Sequence, residues 1–141
     1  MGPRAAVAAS FRVVRTLWLG EVIVVGFIWL GLPALVARPE AERGPAGVFT
    51  GIFIVVALAD LVLGWWMRNR ARKGGSAPTD GASPATMGAS LVAVTLALTP
   101  GILAAALYLG FGHVVGHRIL SIMSLAGLWV LQPRLNEWTV P

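Results

Sequence analysis

Four apolar stretches, each about long enough to cross a lipid bilayer, occupy most of this chain and leave few folds open to it. A crossing helix needs about 20 mostly apolar residues to cover roughly 30 Å at 1.5 Å per residue. Residues 17–37, 46–66, 88–110 and 119–138 qualify, the last being the weakest because Gln132, Pro133 and Arg134 interrupt it. The expected architecture is all-α, a four-span transmembrane helical bundle in residues 17–141, preceded by an N-terminal segment of residues 1–16. With 57% hydrophobic and only 12% charged residues among 141, the chain is too apolar for a soluble domain of this size. It has no cysteine, which excludes disulfides, thiolate metal sites and cysteine nucleophiles.

The connections set the expected orientation. Eight basic residues (Arg4, Arg12, Arg15, Arg68, Arg70, Arg72, Lys73 and Arg134) fall on the N-terminal side of the membrane, against three opposite (Arg38, Arg43 and Arg118). The positive-inside rule then places both termini in the cytoplasm, together with a flexible loop over residues 67–87 that turns from basic to rich in Gly, Ser, Ala and Pro. The expected location is a bacterial inner membrane. The net charge of +5 is explained by this topology and by anionic lipid, so membrane lipids and not nucleic acid are the expected partners. The N-terminal span exceeds a signal-peptide core and shows no clear cleavage site, so it is read as retained.

A shift of 67 residues superposes Pro33 on Pro100, Ala37 on Ala104, Leu58-Ala59 on Leu125-Ala126, Leu61 on Leu128 and Asn69 on Asn136. Such a repeat would relate two duplicated hairpins in the same membrane orientation. Asp60 would then meet Gly127.

Glu21 and Asp60 are the two acids inside the apolar stretches. An ionisable group in hydrocarbon costs roughly 2.5–3.5 kcal/mol on insertion scales and so faces a partner or a cavity. From the span centres, Glu21 lies about 9 Å and Asp60 about 6 Å to the cytoplasmic side of the midplane. In an antiparallel hairpin Glu21 would stand opposite Val62 and Asp60 opposite Ile23, with Thr95 and Gln132 in the same layer. Two carboxyls held close in a low dielectric cannot both ionise easily, so one shared proton, or a monovalent cation in its place, is the natural occupant. The competing structural account pairs the shallower Glu21 with Arg12, Arg15 or Arg134. Asp60 is too deep for its short side chain to reach the headgroups. Gly47, Gly51, Ala57 and Gly64 accompany it near one face, a small-residue stripe that lets helices approach closely.

Other polar residues carry weaker readings. His113 and His117 are four apart but lack further ligands, so no metal is expected and both are read as solvated or facing headgroups. Pro33 and Pro100 are expected to kink their helices. Trp18, Trp65, Trp66 and Trp138 fall near the cytoplasmic boundary as an aromatic belt, while Trp29 and Trp129 are expected in the core. No Ser/His/acid set, phosphate loop or HExxH motif is present, so no enzymatic activity is expected.

The stretch from ALVARPEAERG to LADLVLGWW resembles the hairpin of the ATP synthase c-type proteolipids, with Arg38-Pro39-Glu40 in the loop and Asp60 at the place of the ion-binding carboxylate. The chain also resembles four-span, proteolipid-like bacterial membrane proteins of unknown function that finish in a Pro-Arg segment, here Pro133-Arg134. The first resemblance implies Asp60 as an ion-binding residue. A second likeness, to small multidrug resistance transporters, rests on the glutamate of Glu21-Val22-Ile23 in the first span and implies Glu21 instead. The expected function is an assembly or accessory subunit of a membrane complex, or a proteolipid-like oligomer, built on a buried protonatable carboxylate. The alternative is a proton-coupled small transporter.

Overall fold

The computed structural model describes residues 3–36, 45–74 and 84–134. Among these it is all-helical: α1 (Pro3–Gly26), a π-helical turn (Phe27–Gly31), α2 (Leu32–Leu35), α3 (Ala46–Gly74), α4 (Pro84–Phe111) and α5 (Val114–Val130). The first helix with its π-helical turn and α2 is long and apolar enough to cross a membrane, and so are α3 and α4. α5 is apolar but has 17 residues, about 25 Å of helix.

Several boundaries differ from those expected. Helix α1 already starts at Pro3, so the N-terminal segment before residue 17 is helical. The region expected as a flexible loop is largely helix too, since α3 runs on to Gly74 and α4 starts at Pro84. The run from Met67 to Lys73 consists mostly of good helix formers, and cations suit a helix C-terminus. Proline in turn suits a first helical position, where no N–H is needed. What remains between the two, residues 75–83, lies outside the described residues, as does Trp138.

The fourth helix begins five residues before the expected Ile119 and ends well short of 138. Gly112, with φ 63°, supplies the left-handed residue after α4. Its N–H bonds to Tyr108 O at 2.9 Å, and the N–H of His113 reaches back to Leu107 O at 3.3 Å. His113 then caps α5, its Nδ1 accepting from the N–H of Gly116 at 3.1 Å. The turn thus needs only two residues. At the other end, Pro133 disfavours helical geometry at Gln132, and α5 closes at Leu131.

Helix α4 is the centre of the bundle, packing against α3, α5 and α1. Ala93, Ala97, Pro100, Ala104 and Leu107 form its buried stripe at spacings of three and four. These small side chains let neighbours come close. Gly64 of α3 abuts the Ala93 backbone, Gly101 is covered by Val25 of α1 and Ser124 of α5, and Gly127 of α5 receives Leu61 of α3. Tyr108 near the end of α4 donates from its hydroxyl to Val36 O, just beyond α2, at 2.7 Å. The first and third long helices therefore run parallel, with α3 and α5 antiparallel to them.

The two hairpins are not packed alike. α4 and α5 are in extensive contact, whereas α1 and α3 scarcely touch. Pro33 sits near the end of its helix, just after the π-helical turn in which Leu32 N–H bonds to Phe27 O. Pro100 is fully buried midway along α4.

Candidate functional site

All four longer helices turn a stripe with heptad-like spacing inward, and the acids stand differently on theirs. On α1 the inward residues are Val14, Trp18, Glu21 and Val25, of which Val14 and Val25 are fully buried, and Ile28 continues the stripe in the π-helical turn. Glu21 is half-buried within this stripe. Trp18 donates from its indole nitrogen to Leu128 O at 2.7 Å, fixing α1 against α5. Glu21 Oε2 is buried and has no hydrogen-bond partner among the described residues. The ion pair considered for Glu21 is not formed with the described arginines: Arg12 donates to Ala8 O of its own helix, while Arg15 and Arg134 are exposed.

On α3 the inward residues are Ala46, Thr50, Ala57, Gly64 and Arg68. Of the small-residue stripe, Ala57 and Gly64 are buried as expected of a packing face. Gly47 and Gly51 are exposed, and a Cβ on either would meet nothing within 4 Å. The face passes instead through Ala46 and Thr50, each about 100° away around the helix from the glycine that follows it. Asp60 is half-buried beside Ala57, Leu61 and Gly64, and no hydrogen bond or ion pair joins it to a described residue.

The expected four-residue polar layer is not assembled. Ile23 and Val62, the residues assigned opposite Asp60 and Glu21, are 71% and 62% exposed, because α1 and α3 each pack on α4 and α5 and not on each other. Thr95 is exposed, two positions from the buried Ala93 and Ala97 and therefore on the outer face of α4. Gln132 lies beyond the end of α5, where its backbone carbonyl accepts a 2.9 Å hydrogen bond from Arg68 Nη2. Arg68, itself buried, ties the C-terminal ends of α3 and α5 together.

A polar row that the sequence reading missed lines the interior of α5. His117, Ser121 and Ser124 are fully buried, in contrast to the solvated or headgroup-facing position expected of the histidine. Ser124 donates to Ala97 O at 2.6 Å. Pro100 has no N–H for the Leu96 carbonyl, and Ser124 reinforces the next carbonyl along this interrupted ladder. His117 Nδ1 lies 3.2 Å from Ala104 O, and its ring stands 5.0 Å from that of Tyr108. His117 Nε2 and Ser121 Oγ have no partner among the described residues. The spacing of 117, 121 and 124 at four and three was the available signal; the flanking Gly112, Gly116 and Arg118 masked it by suggesting a span end.

At the opposite end from Arg68, His113 Nδ1 also lies 3.1 Å from Thr50 Oγ1, whose hydroxyl is 2.8 Å from Ala46 O. This knot joins α3 to the start of α5. Between α3 and α5 an apolar groove of about 270 Å³ opens outward, lined by Leu58, Val62 and Trp65 on one side and Ala126, Val130 and Leu131 on the other. Trp129 is 72% exposed rather than in the core, since its neighbours Gly127 and Leu128 take the inward positions. No family model, curated protein or solved structure matches the chain.

Proposed function

We propose that the protein is an integral membrane protein that works by association within the bilayer, as an accessory or assembly subunit of a membrane complex or as a proteolipid-like oligomer, with Asp60 as its protonatable contact residue. The observation that carries this reading is the state of Asp60, half-buried on a membrane-length helix and unpaired with any described residue. A carboxylate at that depth is stabilised by a partner or a proton. Helix α3 leaves most of its surface uncovered, with Ile52, Val55, Leu58, Val62 and Trp65 all at least half exposed, and the groove toward α5 opens on the same stretch. In this reading α5 is a fourth, tilted crossing returned by the tight turn at Gly112-His113. Both termini and the basic end of α3 lie in the cytoplasm of a bacterial cell, and lipid covers what the partner does not.

The test is purification of the full chain from native membranes in mild detergent, followed by native mass spectrometry. A stable complex with other subunits or copies, weakened by Asp60→Asn, is expected. Isolated monomer whose size and thermal stability ignore Asp60→Asn would overturn it.

A second reading, a proton-coupled small transporter, is favoured by the buried Oε2 of Glu21, which has no partner among the described residues. It predicts that Glu21→Gln abolishes proton-coupled flux in proteoliposomes while leaving association intact.

A further inference from the structure

The bundle interior holds more hydrogen-bonding capacity than it satisfies. His117, Ser121 and Ser124 follow one another on one face of α5, and all three are fully buried. Ser124 is satisfied by the Ala97 carbonyl. The Ala104 carbonyl can only accept, so the His117 Nδ1 facing it donates, and in the neutral tautomer that donates there Nε2 is a bare acceptor. Among the described residues that Nε2 has no partner, and neither does Ser121 Oγ one turn along.

The row continues onto α1. Trp18 is fixed to Leu128, and Val25 shares with Ser124 the space above Gly101. Glu21, between Trp18 and Val25 on the same face, is thereby set toward the stretch of α5 between Ser124 and Leu128. Its Oε2 is the third buried side-chain atom without a partner among the described residues. Buried polar atoms of native proteins are paired with protein or with ordered water, and a lone orphan is uncommon. Three at successive depths of one bundle call for a common ligand. A metal ion does not fit, because no group of three His, Cys, Asp or Glu side chains converges among the described residues.

We propose that this row binds a short file of water molecules that links Glu21 to Nε2 of His117. Ser121 stands between the two ends and can both donate and accept, so the file keeps its direction through the hydroxyl. A proton carried in as the Glu21 carboxylic acid leaves as His117 Nε2–H. One O–H bond breaks at Glu21, one N–H bond forms at His117, and each intervening water and hydroxyl passes on one proton and receives another. The interior thus provides a route for protons between the two levels while the outer surface of the bundle stays apolar. This inference uses none of the residues of the association reading.

The test is water-edited solid-state NMR on the full isotope-labelled chain in lipid nanodiscs. Transfer from water to the His117 ring is expected to be much faster than to Leu120, its fully buried apolar neighbour. Ser121→Val is expected to remove that transfer, and Asp60→Asn to leave it unchanged. Equal, slow build-up at His117 and Leu120 would overturn the proposal. Thermal stability of Ser121→Ala gives an independent reading. In a dry row the substitution removes an unsatisfied hydroxyl and Tm holds or rises, which contradicts the proposal. In a hydrated row a water loses a partner and Tm falls.

Discussion

Gly116→Ala is the sharpest perturbation available, because one methyl group meets three elements at once. A Cβ at this position would lie 2.6 Å from His113 Nδ1, 2.7 Å from Thr50 Oγ1 and 3.0 Å from Leu107 Cδ1. None of these neighbours gives way freely. His113 Nδ1 is held as the cap acceptor for Gly116 N–H, Thr50 is buried on α3, and Leu107 is fully buried on α4. Overpacking of this kind costs about 1–3 kcal/mol. Displacing the cap costs about 1 kcal/mol more. Alanine recovers at most about 1 kcal/mol in helix propensity, less in a first turn. The net destabilisation is about 1–3 kcal/mol, a fall in Tm on the order of 3–10 °C for a chain of this length. Thermal unfolding of the purified protein in one detergent measures it, with Gly47→Ala as the control. Gly47 has nothing within 4 Å of a Cβ, so its substitution should leave Tm unchanged or slightly raised. Adding Thr50→Ala to Gly116→Ala should restore part of the loss through removal of one of the three contacts. A Gly116→Ala variant as stable as Gly47→Ala would refute the packing argument for the α3–α4–α5 junction.

Three further outcomes follow from the same contacts. Gly127→Ala should destabilise by about 1–3 kcal/mol because its Cβ collides with Leu61, and Leu61→Ala should rescue part of that loss in the double variant, read as Tm against each single change. His113→Ala should cost about 1 kcal/mol through loss of the α5 cap, whereas His113→Asn should retain most of the stability, measured by the same unfolding curves. Trp18→Phe removes the 2.7 Å bond to Leu128 O while keeping an aromatic body in place, so a loss of about 1 kcal/mol and faster hydrogen exchange around α1 are expected.

The apolar stretches made the helical class legible, because runs of about 20 apolar residues have few alternatives. Their ends were less legible. The basic run after Trp66 reads as loop by charge, yet it is good helix-forming sequence and continues α3 to Gly74. Which helices pair was not legible at all, since hydropathy carries no information on facing when both faces of a helix are apolar. The stripe of Gly47 and Gly51 shows this: the same composition supports a face shifted by one residue, and only contact with His113 and α4 selects Ala46 and Thr50. Placing Glu21 and Asp60 in one layer, opposite Val62 and Ile23, assumed that consecutive helices pack, and α4 displaced that contact by offering both neighbours a row of alanines. His117 was hidden because its glycine and arginine neighbours imitate an interfacial segment.

The two membrane acids therefore answer to different surroundings. Glu21 lies on the inward stripe of the first helix between Trp18 and Val25, where a buried oxygen without a partner among the described residues must be met from within. Asp60 sits at the flank of α3, beside an outward-opening groove and exposed aliphatic side chains, where whatever meets it comes from outside the described chain. Substitutions at the two sites should therefore be additive. Glu21→Gln and Asp60→Asn lie on helices that barely touch, so their effects on stability should sum within about 0.5 kcal/mol, as for other independent sites. A coupling well above that, measured in a double-mutant cycle by thermal unfolding, would mean that the carboxylates share a proton after all and would reinstate the single polar site that the helix packing argues against.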